Sequence, residues 1–142
     1  MLSETHQSLT GALKAQGRFE EALQSGITAL DLAITSESPD DIAGAWRVLG
    51  TLASMTGAGV EISEGPAAGF YSADALFSNS LEVAEEVESD ADRAKALMAW
   101  AIHDHQNGNR VESTERWALA KELLEELGAT RTIRRTESML AE

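Results

Sequence analysis

Apolar residues recur three and four positions apart along most of this chain, the spacing that places them on one face of a helix. The clearest stripe is Phe19, Ala22, Leu23, Gly26, Ala29, Leu30 and Ala33. The same period continues through Trp46 and Leu49, between about Ile42 and Met55, and through Leu76, Phe77, Leu81, Ala84 and Val87. It returns in Leu97, Trp100 and Ala101, and again in Trp117, Ala120, Leu123, Leu124 and Leu127. Sparser stripes, Leu9-Ala12-Leu13 and Ile133-Leu140, predict helices over Glu4–Ala15 and Thr130–Ala141. Gly17, Gly57, Gly108 and Gly128 stand where such helices stop. Pro39 cannot continue a helix, and Asp40 or Asp41 can cap the next one. Asp90 and Asp92 supply a capping acid in the turn before the helix at about Arg93.

One stretch breaks the period. Gly57, Gly59, Gly65, Pro66 and Gly69 punctuate residues 57–72, and Val60 and Ile62 alternate around Glu61. Gly57 to Ala84 spans 27 positions where Gly17 to Ala29 spans 12, which measures an insertion of 15 residues at 58–72. Strand is confined at most to Val60–Ile62. Val60, Ile62, Phe70 and Tyr71 are too apolar for a loop in water, so part of the insertion is expected to fold back onto the helices.

Composition agrees with helix: two prolines and 5% aromatics in 142 residues. Zero cysteines rule out disulfides and thiolate chemistry and fit a reducing compartment. No apolar run approaches the roughly 20 residues that cross a bilayer, and Met1–His6 has no signal-peptide character. A cytoplasmic protein is the expectation. The net charge of −13 is uneven: residues 19–92 hold fifteen acids against the single base Arg47, and residues 93–142 hold eight of each. Phosphate backbones and anionic membranes need clustered cations, so neither nucleic acid nor membrane is expected as a partner. The acidic middle reads as a solubilising surface, with a docking face for a basic partner as the alternative.

Trp46-x-x-Leu49-Gly50 and Gly17-x-Phe19-x-x-Ala22 resemble the tetratricopeptide (TPR) motif, in the divergent form found in large bacterial regulators. The resemblance spans residues 1–142 as one domain. Its repeats fall at about 3–36, 40–88 (with the 58–72 insertion) and 91–128, followed by a capping helix at 130–141. It departs from the pattern where His6, Thr10 and Asp104 take positions usually aromatic or glycine. The resemblance implies an all-α fold, a right-handed superhelix of three antiparallel helix pairs plus a C-terminal capping helix. It also implies a concave groove lined by the first helix of each pair, which binds peptides. Matching groove positions are Gln7 and Lys14; Arg47, Thr51 and Ser54; and Lys95, Met98, Ile102 and His105. Of the family's carboxylate-clamp positions, only Lys95 keeps the right residue type.

Little else in the chain suggests chemistry. His103 and His105 are two apart, so on a helix they point about 200° from each other, whereas a helical metal pair needs i, i+3 or i, i+4 spacing. There is no nucleophile elbow, no phosphate loop and no E-x-x-H pair. Trp46, Trp100 and Trp117 take packing positions and read as core. The expectation is a non-enzymatic scaffold or adaptor with no cofactor and no metal. It would bind another protein or peptide in the groove, a partner carboxylate being held chiefly by Arg47, with Asp41 and Asp92 as competing neighbours. Self-association through the solenoid ends is a further possibility. The alternative function is a sensory or regulatory ligand-binding domain of a larger bacterial signalling or transcription-regulating protein, in which the insertion closes over a small molecule.

Overall fold

A computed structural model describes residues 18–141. The described residues form six helices: α1 (Phe19–Thr35), α2 (Pro39–Thr56), α3 (Ala73–Glu86), α4 (Asp90–Gln106), α5 (Arg110–Glu126) and α6 (Thr130–Leu140). Between α2 and α3 lie two short strands, β1 (Val60–Ile62) and β2 (Gly69–Tyr71). The helix expected over Glu4–Ala15, and with it Gln7, Lys14 and Gly17, lies outside the described residues.

Helix starts follow the chemistry of their first residues. Pro39 opens α2, where its missing N–H is no loss. The N-cap there is Ser38 rather than an aspartate, and Asp40 and Asp41 complement the dipole from the first turn. Ser89, not an acid, caps α4: its Oγ accepts the Asp92 N–H at 3.2 Å. Gly57, Gly108 and Gly128 end helices at φ of 72°, 79° and 73°, a left-handed conformation that glycine adopts without strain.

The two halves of the Trp-x-x-Leu-Gly motif serve opposite neighbours of α2. Leu49 lies over Gly26 of α1, where a Cβ would fall 2.9 Å from its Cδ2. Gly50 takes the ring of Phe77 on α3, again at 2.9 Å from an added Cβ. Gly50 therefore lets α3 come close to α2. Ser80 Oγ donates to the carbonyl of Ala43 at 2.7 Å, and with Gly50 against Phe77 this sets α2 and α3 antiparallel. Ser113 Oγ similarly ties α5 to the Ala101 carbonyl of α4 at 2.8 Å.

The core has two main parts. Leu30, Trp46, Leu49 and Leu76 form the first together with Val60 and Ile62 of the insertion; Leu97, Ala120, Leu123 and Leu124 form the second. Trp46 is core, as expected. Trp100 and Trp117 are only half-buried, and their indole N–H groups donate to Asp74 at 2.7 Å and Glu137 at 3.4 Å. Val87, expected inside, is exposed. The α6 helix leans Ile133 on the second core and holds Lys121 of α5 through Glu137 at 2.9 Å. No described helix is long and apolar enough to cross a membrane.

The insertion is a β-hairpin, so strand extends beyond Val60–Ile62 to Gly69–Tyr71. The register pairs Val60 with Tyr71, Glu61 with Phe70 and Ile62 with Gly69. With side chains alternating faces, Val60 and Ile62 turn inward, each 2% exposed. Tyr71 meets Trp46 edge-on at 5.0 Å and donates its hydroxyl to the Ala67 carbonyl at 2.8 Å. An isolated hairpin is marginal in water. Burying two branched side chains, at about 1.5–3 kcal/mol each, holds this one in place. Phe70, on the opposite face with Glu61, is 72% exposed and does not fold back.

Candidate functional site

The C-terminal ends of α2 and α4 meet the N-terminal end of α3 beneath this hairpin. Their junction is a cleft of about 230 Å³ whose lining includes Ser54, Gly59, Phe70, Asp74, His103 and Asn107. The Phe70 ring lies over Gly59, where a Cβ would come within 2.3 Å of it. Only a residue without a side chain lets the aromatic settle there.

Beneath Phe70 the polar groups are fixed by one another. His103 is largely enclosed, its side chain 12% exposed. Its Nδ1 lies 2.7 Å from Ser54 Oγ and 3.2 Å from Asn107 Nδ2. Asn107 Nδ2 also donates to the His103 carbonyl at 2.8 Å, which fixes that atom as the amide nitrogen. Nδ1 is therefore the acceptor, Ser54 donates to it, and the ring proton sits on Nε2, facing Asp74 Oδ1 at 3.7 Å. The same Asp74 oxygen accepts the Trp100 N–H at 2.7 Å. Trp100 is in turn covered by the Arg116 guanidinium, 3.6 Å from the ring centre, and Arg116 pairs with the buried Asp104. One network thus joins α2, α3, α4 and α5, and it presents Asp74, Ser54 and Asn107 to the cleft.

Asp74, His103 and Asp104 place potential metal-ligand atoms within 4.8 Å of one another. Each already has a partner: Trp100 for Asp74, Ser54 for His103 and Arg116 for Asp104. A cation there would have to displace a guanidinium from a buried carboxylate.

The residues expected in the groove divide by use. Ser54 belongs to the cleft through His103. Arg47 is half-buried; burial lowers its pKa, and the charge of Asp92 works against that. Burial raises the Asp92 carboxyl, helped by its hydrogen bond to Asp40, while the Ser89 hydroxyl, and the charge of exposed Lys95, hold it down. Thr51 donates its hydroxyl to the Arg47 carbonyl one turn back, at 3.1 Å. Met98 is covered by α6, its Sδ accepting from Thr136 Oγ1 at 3.2 Å. Ile102 is half-buried, and His105 lines a separate recess with Trp117 and Leu140. Gln7 and Lys14 lie outside the described residues. Ser54 and Met98 are thus engaged by neighbouring helices, through His103 and Thr136. Sequence reasoning missed Phe70, Asp74 and Asn107 as cleft residues. Phe70 faces outward with Glu61, its cross-strand partner, and that pairing emerges only once the two strands are in register.

Comparison of the chain with protein-family models, with curated proteins and with solved structures returned no match.

Proposed function

We propose that the chain is a non-catalytic interaction module, a TPR-like right-handed superhelix that binds a segment of another protein, and that the segment docks in the cleft beneath the hairpin. The exposed ring of Phe70 carries this reading. An aromatic held on an ordered strand beside fixed hydrogen-bonding groups is the usual anchor of a protein interface, because it offers area at little entropic cost. A cleft of about 230 Å³ takes a side chain or two. It falls below the roughly 300–1,000 Å³ of pockets that enclose small molecules, which disfavours a sensory domain closing over a ligand.

Ser54, His103 and Asp74 have the residue types of a nucleophilic triad, and their setting argues against that use. Ser54 sits inside α2, where backbone N–H groups are taken up by the helix: Gly57 N–H bonds the Ala53 carbonyl at 2.9 Å, and Ala58 N–H bonds Thr56 Oγ1 at 3.3 Å. An acyl-transfer site needs free donors aimed at a developing oxyanion.

The test is Phe70→Ala. At an exposed position it should leave the helical circular dichroism intact and the melting free energy within about 0.5 kcal/mol. Immobilised beside the unaltered protein in the same lysate, it should lose the specifically captured protein. Equal capture by both would place docking elsewhere.

A further inference from the structure

At the opposite end of α3 and α4, roughly 16 Å from the Phe70 cleft by helical rise over Asp74 to Glu85, lies a larger cleft of about 360 Å³. Its floor is leucine: Leu97 and Leu123 of the second core, half-buried Leu81, and Leu119, which is 54% exposed. Its rim is acid: Glu85 from α3, Glu122 and Glu126 from α5, all exposed. Arg93 also lines it and is already paired with Asp90 at 3.1 Å.

The rim runs against the local interest of the helices. Leu119, Glu122, Leu123 and Glu126 fall at i, i+3, i+4 and i+7, so α5 turns one leucine-and-glutamate face to the cleft. Glu122 and Glu126 are like charges one turn apart, which repel. Glu126 ends α5, Glu85 stands next to the end of α3, and neither helix has a basic residue in its last turn. A helix C-terminus carries partial negative charge and is stabilised by cations there. Two helices therefore converge on this cleft with their negative ends and add glutamates to them, while α4 enters it by its N-terminus, whose positive end Asp90 and Asp92 already complement. Local choices that cost stability without a compensating contact mark a surface shaped by something outside the chain.

We propose that this cleft is a second docking surface, independent of Phe70, whose occupant is an amphipathic helical segment of a partner carrying leucine-like residues on one face and lysine or arginine beside them. The apolar side chains cover Leu119 and Leu81, and the cations meet Glu85, Glu122, Glu126 and the two helix ends. This is helix-in-groove recognition with electrostatic registration. With the Phe70 cleft at the other end of the same helices, the module can hold two partners at once.

The probe is a synthetic peptide of leucine and lysine in helical period, titrated by calorimetry into the whole protein. Its control has the same composition with the leucines scattered. The amphipathic peptide should bind saturably and the control should not. Binding should weaken by about tenfold or more in E122Q/E126Q and in Leu119→Ser. E122Q/E126Q should at the same time melt higher than the unaltered protein, since it removes a repulsion and a dipole conflict; a merely structural pair of glutamates would not separate the two readouts in this way. Phe70→Ala should bind the peptide unchanged, which distinguishes this surface from the hairpin cleft. Equal binding of the scattered control, or full affinity in E122Q/E126Q, overturns the proposal and leaves these acids a solvated face.

Discussion

Asp104 of α4, 1% exposed, is paired with Arg116 of α5, whose guanidinium also lies 3.6 Å from the centre of the Trp100 ring. Among the described residues Arg116 is the cation paired with this buried carboxylate, and the pairing offsets the cost of stripping it of water. Arg116→Met should therefore cost about 3–5 kcal/mol, the penalty for a charge left buried and alone. Asp104→Leu combined with Arg116→Met should recover much of that loss. Denaturant unfolding of the three proteins checks both statements, and a double variant as unstable as the single one would mean the pair is not what holds α4 to α5.

Gly50 faces the buried ring of Phe77, which is 1% exposed. Gly50→Leu should destabilise by about 1–3 kcal/mol through overpacking, against the roughly 1 kcal/mol that replacing glycine gains in a helix. The expected net result is a lower melting temperature with the helical spectrum retained. An unmoved melting curve would contradict the close approach of α2 and α3.

The hairpin is held by Val60 and Ile62 rather than by its own two-stranded pairing. Ile62→Ala should cost about 2–4 kcal/mol by leaving a cavity. Because Trp46 packs on the same cluster, its fluorescence should report the change. Replacing residues 61–70 by a short glycine-serine turn should also lower stability while leaving the helices.

Asp92 and Asp40 share a hydrogen bond, and burial together with Asp40 raises the Asp92 carboxyl above its ordinary value. Its folded pKa exceeds its unfolded one, so the native state binds more protons between the two values, and stability falls as pH rises through that window. Burial raises Asp31 in the same direction. Asp40→Asn removes the repelling charge, and because Asp92 is partly exposed the gain at neutral pH should be modest, about 0.5 kcal/mol or less. That gain should vanish in acid below the carboxylate range, where Asp92 is already protonated. Melting temperatures from neutral pH into acid test this; a gain that persisted at low pH would rule out the charge mechanism.

The helices were legible because their stripes are long and their stops are chemical: Pro39 at the start of α2, Gly57, Gly108 and Gly128 beyond the ends. The second strand was not legible. Gly69-Phe70-Tyr71 shows no alternation by itself, and its register comes from Tyr71 meeting Trp46, a contact that a linear reading cannot supply. The same limit hid Asp104, a buried acid at a position where the motif favours an aromatic, because its partner Arg116 lies on the next helix. For Arg47 the sequence already named Asp41 and Asp92 as competing neighbours, and the charge of Asp92 does act on its guanidinium. Ser54, read as groove, was part of a site, but its partner His103 stands 49 residues away.

The account rests on Phe70 as the anchor for a partner, and photo-crosslinking tests that most directly. A benzophenone analogue of phenylalanine would be placed at Phe70, and in separate proteins at exposed Glu20 and Glu64, then irradiated in lysate with the fold checked by circular dichroism. The account predicts a discrete crosslinked protein from position 70, absent from the other two positions and competed away by excess unlabelled protein. A folded protein that crosslinks nothing from position 70, or the same species from all three, would contradict it.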